Sequence, residues 1–126
     1  MLRDMDIRPF HLKMDGNRLF KKAIEFMSSI ASKALAHNRL SADDIALVVP
    51  HQANIRIIQG LAKDLRVPMD RVYVNIEKYG NTSSATIPIA LDEANREGRL
   101  RKGDYILLVS FGAGLTWGAS ILQWAL

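Results

Sequence analysis

Pro50-His51-Gln52-Ala53-Asn54 closes a short apolar run, Ala46-Leu47-Val48-Val49, and opens an amphipathic stretch. Further along, Tyr79-Gly80-Asn81-Thr82-Ser83 forms a second polar corner between another apolar run and another helix-like stretch. Each corner offers one uncharged hydrogen-bonding side chain. A neutral imidazole N–H beside a carboxamide N–H makes a two-donor site for an enolate or a tetrahedral oxyanion. His51 stays neutral in such a site if its other ring nitrogen accepts a backbone or water proton. Taken singly, His51 also reads as a packed, satisfied histidine, and Asn81 as a turn residue chosen for its backbone preferences. Their occurrence together, at corresponding ends of adjacent strands, favours the chemical reading. Gly112-Ala113-Gly114 admits two readings: a tight turn between strands, or a backbone amide aimed at a reacting carbonyl.

Periodicity supplies the elements that must position these corners. Phe10-His11-Leu12 reads as a short strand, followed by a turn at Asp15-Gly16. Phe20, Ile24, Met27, Ala31 and Ala34 recur at helical spacing and predict a helix over 17–37. Ser41 then caps a short turn, with Asp44 near its first amides. Leu47-Val48-Val49 has the character of a strand buried on both faces, and Pro50 ends it. The next helix spans 54–65 and buries Ile55, Ile58, Leu61, Ala62 and Leu65, with Arg56 and Lys63 on the opposite face. Pro68 stops it, and Val72-Tyr73-Val74 reads as a strand.

A helix over 83–96 follows, with a stop signal at Gly98 and Pro88 predicting a kink or a later start. Tyr105 to Phe111 is the most apolar strand, and 116–124 returns antiparallel to it. The order βαβαβαββ defines an α/β layered domain whose mixed, mostly parallel sheet is packed with helices. Ligands of such sheets lie beyond the carboxyl ends of the strands, where both polar corners fall.

The chain's 126 residues, 48% of them hydrophobic, suit one domain with a filled core, taken as 1–126. No apolar run approaches the roughly eighteen residues of a membrane span, and the charged start Met1-Leu2-Arg3-Asp4 is not expected to be a secretory leader. Cysteine is absent, which suits a cytoplasmic protein and excludes disulfides and thiolate metal sites. His11, His37 and His51 lack metal-ligand spacing, so no metal site is expected. The net charge of +4 comes from 17 basic and 13 acidic residues spread along the chain. That mild bias carries no nucleic-acid motif and fits an acidic protein partner or a phosphorylated ligand better.

Pro50 to Ile58, Gly80-Asn81-Thr82-Ser83 and Phe111-Gly112-Ala113-Gly114-Leu115-Thr116-Trp117-Gly118 together resemble the 3-oxoacyl-[acyl-carrier-protein] synthase III family. Met14-Asp15-Gly16-Asn17 and Ala90-Leu91-Asp92-Glu93-Ala94 extend the resemblance. It implies the C-terminal half of a thiolase-like fold and a part in bacterial fatty acid synthesis. In that family an acyl group passes from coenzyme A to a cysteine on the N-terminal half, and the enolate of decarboxylated malonyl-carrier protein attacks it. The resemblance casts His51 and Asn81 as donors to the malonyl thioester oxygen, Phe111 as a flank of the reacting groups, and the Ala113 amide as part of the oxyanion hole. It assigns Gly16, Asn17, Phe20, Ala53 and Asn54 to the pantetheine channel, and Lys21, Arg56 and Lys63 to the patch that docks the acidic carrier protein. Glycine is common where Ala113 stands, and a lysine where Asp64 stands.

The nucleophile is missing. Without cysteine this polypeptide cannot form the acyl-enzyme, and a cysteine-bearing N-terminal half is therefore an expected partner, alongside acyl carrier protein and acyl-coenzyme A. The isolated chain is expected to be nearly inert in condensation; the alternative is a non-catalytic module that binds carrier protein, pantetheine or a synthase partner. An apolar face left by the absent half predicts a homo-oligomer, since the two halves of this fold resemble each other. Coenzyme A and carrier-protein thioesters enter as substrates, and no cofactor is expected.

Overall fold

The computed structural model describes residues 16–126. The strand expected at Phe10-His11-Leu12 lies outside them. Helix α1, Gly16–His37, buries Ala23, Met27, Ala31 and Leu35, a ridge that returns every turn to the same face. Phe20, Ile24 and Ala34 are half-buried beside that ridge. After a 3₁₀ turn at Ala42–Asp44 the chain enters β1, Ile45–Pro50. In that turn the Asp44 carboxylate accepts from both the Ser41 N–H and its hydroxyl, at 2.7 Å each. Ser41 and Asp44 form a capping box, and the Ser41 hydroxyl bond, ahead of the backbone one, holds the Asp44 carboxyl below its ordinary value.

Helix α2, Ile55–Leu65, is capped by Asn54, whose Oδ1 accepts from the Arg56 N–H at 2.8 Å. It buries Ile58, Leu61, Ala62 and Leu65, whereas Ile55 is exposed. Ile55 opens the first turn, over the corner and not over the sheet. The short helix α3, Ile76–Tyr79, precedes the second corner. A 3₁₀ turn at Ser83–Ala85 leads into α4, Thr86–Arg96. Pro88 thus falls in the first turn of α4, where its missing N–H has no intrahelical partner to lose, and the helix starts late as expected.

Strands β2, Tyr105–Gly112, and β3, Thr116–Gln123, complete a three-stranded sheet in the order β1-β2-β3. β1 runs parallel to β2, with Pro50 opposite Val109, and β3 runs antiparallel to β2, with Phe111 opposite Trp117. The described sheet is therefore mixed. Val72-Tyr73-Val74 does not form a strand; it contributes a single parallel bridge, Val48 to Val72. The Tyr73 N–H donates to the Val48 carbonyl at 2.8 Å, but its own carbonyl accepts from Gln52 Nε2 at 3.1 Å. A side-chain amide takes over where the next rung would stand.

Alternation along the strands divides the core. Ile45, Val48, Leu107, Val109 and Phe111 face α1 and α2. Leu47, Val49 and Ile106 face the other way, against Tyr73 and the small residues Ala90 and Ala94 of α4. The helices α1 and α2 cross closely at Gly60, where an added Cβ would lie 2.5 Å from Ile24 Cδ1 and 2.9 Å from its Cγ1. Gly60→Leu is expected to destabilise the chain by about 1–3 kcal/mol in urea unfolding, the usual cost of overpacking a filled contact. An unchanged midpoint would show that the helices can separate there without loss.

Candidate functional site

His51 is stationed by the sheet. Its N–H donates to the Val109 carbonyl at 2.8 Å, carrying the parallel hydrogen-bond pattern past Pro50 and setting His51 beside the last residues of β2. The ring is half-buried, and its Nδ1 is enclosed with no hydrogen-bond partner among the described residues. Burial lowers the imidazole pKa from its ordinary 6.5, because the cation loses more solvation than the neutral ring. The neutral form needed for an uncharged donor is thus the favoured one.

Asn81, which is exposed, is placed by a different route. The one-turn helix α3 stops at Gly80, whose φ of 67° lies in the region that glycine occupies without strain. Asn81 Oδ1 then accepts from the Ser83 N–H at 3.0 Å, so its amide NH₂ is the half of the carboxamide available to donate. Ser83 has a φ of 55°, a left-handed conformation that serine seldom adopts. Strain of this kind gathers at functional sites.

Gln52 ties the His51 corner to the segments that flank the Asn81 corner. It is 1% exposed, and its main-chain N–H donates to Thr86 Oγ1 at 2.8 Å. Its Nε2 donates to the Pro50 and Tyr73 carbonyls at 2.9 and 3.1 Å, and its Oε1 accepts from the Asn75 N–H at 3.0 Å. One side chain therefore ties the end of β1 to the strand-like segment before α3, while its backbone ties β1 to the start of α4.

A second polar centre stands behind α3. Glu93, on α4, accepts from the Tyr79 hydroxyl at 2.6 Å through Oε1, and from Asn75 Nδ2 at 2.8 Å and the Tyr73 hydroxyl at 3.3 Å through Oε2. Lys78 Nζ lies 3.5 Å from Oε1. These contacts, Tyr79 first and Asn75 next, hold the Glu93 carboxyl down at about 2. Sequence reasoning gave no role to Gln52, Asn75, Thr86 or Glu93. Glu93 lies between Ala90 and Ala94, whose burial at the sheet shows only in the fold, so the sequence carried no signal for it.

The remaining expected site residues divide between core and surface. Phe111 is buried on the α1 side of the sheet, its ring centroid 6.4 Å from that of Phe26, which stacks on Trp117 at 4.3 Å. Ala113 is exposed in the β2–β3 turn, and its carbonyl accepts from Thr116 Oγ1 at 3.1 Å. Ala53 and Asn54 share the His51 corner, half-buried and exposed respectively. Gly16 and Asn17 open α1, and Phe20 lies one turn on. Lys21 on α1 and Arg56 and Lys63 on α2 are all exposed. Asp64 is bonded across that helix pair by Ser28 Oγ at 2.9 Å. Among the described residues, no three His, Cys, Asp or Glu side chains are grouped so as to hold a metal, and no helix is long and apolar enough to cross a membrane.

A mixed sheet between helices, with the His51 corner beyond the carboxyl end of β1, places the chain in the thiolase-like class as one of its α/β halves. The family described as 3-Oxoacyl-[acyl-carrier-protein (ACP)] synthase III C terminal matches residues 35–124, and the chain belongs to it. The beta-ketoacyl-[acyl-carrier-protein] synthase III of Roseiflexus castenholzii is 56% identical over 112 residues, covering 89% of this chain and 34% of that protein. That of Clostridioides difficile is 54% identical over 115 residues, covering 91% of this chain and 35% of its own length. The crystal structure of 3-oxoacyl-[acyl-carrier-protein] synthase III from Aquifex aeolicus superposes with a TM-score of 0.90 at 46% identity, over 93% of this chain and 38% of that one. The chain thus spans about a third of the length of these relatives.

Two outcomes follow from the site's physics. An NMR titration of His51 should give a midpoint below 6.5, with the imidazole neutral at pH 7. Because the folded pKa lies below the unfolded one, this residue's contribution to stability is complete above 6.5 and is lost as pH falls toward the folded value. A midpoint above 6.5 would reveal an acidic partner facing the ring. Gln52→Leu should cost roughly 3 kcal/mol in denaturant unfolding, since the Asn75 N–H and the Pro50 and Tyr73 carbonyls lose their partner.

Proposed function

We propose that this chain supplies the donor half of a decarboxylative condensing acyltransferase that starts fatty acid biosynthesis. The substrates are acyl-coenzyme A and malonyl-acyl carrier protein, and the products are 3-oxoacyl-carrier protein, carbon dioxide and coenzyme A. The observation that carries this reading is the set of Gln52 bonds that run from the His51 corner to Asn75 and Thr86, the residues on either side of the Asn81 corner. Family membership supports it.

In this reading the acyl group first moves from coenzyme A to a cysteine thiolate, releasing coenzyme A. The malonyl carboxylate then leaves as carbon dioxide, and its electron pair becomes an enolate whose negative oxygen takes hydrogen bonds from the His51 imidazole and the Asn81 amide. The enolate carbon attacks the acyl thioester carbonyl, whose oxygen is held by the Ala113 N–H, and the cysteine thiolate departs. Phe111 shapes the wall beside the reacting carbons. Gly16, Asn17, Phe20, Ala53 and Asn54 line the pantetheine path. Lys21, Arg56 and Lys63 receive the acidic carrier protein, with Asp64 subtracting from that charge.

The cysteine lies outside these 126 residues. A cysteine-bearing half is therefore the required partner, and the shallow apolar groove over Ile87, Leu108, Val109 and Ala119 is the face it covers in this reading. A second copy of the chain is the expected substitute when that half is absent. The cytoplasm suits both the substrates and a cysteine-dependent reaction. The missing nucleophile also favours a second reading, a non-catalytic module that binds carrier protein or pantetheine.

The test mixes this chain with a separately expressed cysteine-bearing half, malonyl-carrier protein and acetyl-coenzyme A. Condensation should occur only on mixing, and His51→Ala or Asn81→Ala should lower its rate by about 10²–10³-fold. Silence with a folded partner half, together with retained carrier-protein binding, would favour the binding module.

A further inference from the structure

Helix α3 is only weakly anchored by apolar packing, with Ile76 half-buried. None of its residues is buried, and Asn75, at its N-cap, makes no side-chain capping bond. Instead the Asn75 side chain turns to Glu93 Oε2 at 2.8 Å, and at the other end of the helix the Tyr79 hydroxyl meets Oε1 at 2.6 Å. A single carboxylate thus grips both ends of the turn that delivers Gly80 and Asn81. The Lys78 ammonium, 3.5 Å from Oε1, adds charge to the grip. Glu93 is itself fixed: its side chain is 17% exposed, and Ala90 and Ala94 beside it are flush against the sheet at 0%. From Asn75 the connection continues through the main-chain N–H to Gln52 Oε1 at 3.0 Å, one residue from His51.

We propose that Glu93 is a positioning residue for the Asn81 donor, holding the α3 turn by both ends so that the Asn81 carboxamide keeps a fixed place relative to His51. This rests on the donor role given to Asn81 above. The carboxylate is suited to the task because it accepts several hydrogen bonds at once from two oxygens, in the charge-assisted form that is stronger than a neutral bond. Glutamine offers one oxygen and an NH₂ in the same shape. It can accept from the Tyr79 hydroxyl or from Asn75 Nδ2, not from both, and it offers no charge to Lys78.

The Ser83 amide reports on the corner directly, since it donates to Asn81 Oδ1. Amide hydrogen exchange is to be followed by NMR on the ¹⁵N-labelled chain and on Glu93→Ala, Glu93→Gln and Tyr79→Phe. Asp92→Ala serves as the control on the exposed side of α4, where Asp92 pairs with Arg96. Glu93→Ala should accelerate exchange at Gly80 and Ser83 about tenfold or more, as loss of charge-assisted bonds predicts, with Leu107 and Val109 unchanged. Glu93→Gln and Tyr79→Phe should give smaller accelerations at the same amides, and Asp92→Ala none. Tyr79→Phe keeps the test decisive if Glu93→Ala fails to fold, because it removes only a hydroxyl from an exposed ring.

Unchanged exchange at Gly80 and Ser83 in the folded variants would overturn the proposal, as would an equal acceleration at Leu107 and Val109. In the mixed synthase, Glu93→Ala should lower kcat while leaving KM for malonyl-carrier protein near its original value. A loosened corner with kcat unaffected would overturn the donor role of Asn81 and leave the grip on α3 standing.

Discussion

The buried carboxamide of Gln52 is the constraint on which the arrangement of the site depends. A primary amide removed from water has to find both acceptors for its NH₂ and a donor for its oxygen. Here all come from main-chain groups: the Pro50 and Tyr73 carbonyls and the Asn75 N–H. Those bonds leave the segment after Val72 one path. It cannot continue as a strand beside β1, because Pro50 has no N–H to give the Tyr73 carbonyl and Gln52 Nε2 takes that place, so it turns outward into α3. The net stabilisation from such a satisfied group is modest, whereas any alternative path strands several polar atoms. Gln52 therefore specifies the geometry more than it adds stability.

The two corners are supported in physically different ways. His51 continues the parallel pairing of β1 with β2, whose inner residues are fully buried, so it can move only if the sheet opens. Asn81 follows a helix with no buried residue and a glycine, and its place is set by polar side chains at the protein's edge. Local opening costs least where few apolar contacts must break. The imidazole is thus the rigid member of the pair, and the carboxamide the adjustable one. Strain at Ser83 belongs to the adjustable side, consistent with a turn held in place by its neighbours and not by its own preferences.

Much of this was legible in the sequence. The spacing of Met27 and Ala31, and of Ile58 with Leu61, Ala62 and Leu65, marked the buried faces of α1 and α2 because helical burial repeats along the chain. Pro88 announced the late start of α4 for a local reason, its missing N–H. Val72-Tyr73-Val74 misled because β-branched composition reports a fit to pleated surroundings and says nothing of whether a neighbour's backbone is free to pair. Ile55 misled because periodicity cannot tell the first turn of a helix, lying over a corner, from the turns lying over the sheet. Gln52 and Glu93 escaped because a polar residue that is satisfied inside the fold resembles, in sequence, one that faces water. Its partners at Asn75 and Tyr79 are recognisable only after the chain has folded back.

One consequence lies in the backbone itself. Helices α2 and α4 both begin at the polar corners, one capped by Asn54 and the other joined to Gln52 through Thr86, and neither carries an acidic residue in its first turn. Each helix start presents roughly half a unit of positive charge from its aligned peptide dipoles. The two helix starts thus hold a positive potential that owes nothing to an ionised side chain. That potential does not titrate, and no substitution of a surface lysine or arginine removes it. A negative group set against either helix start meets dipoles that are already oriented.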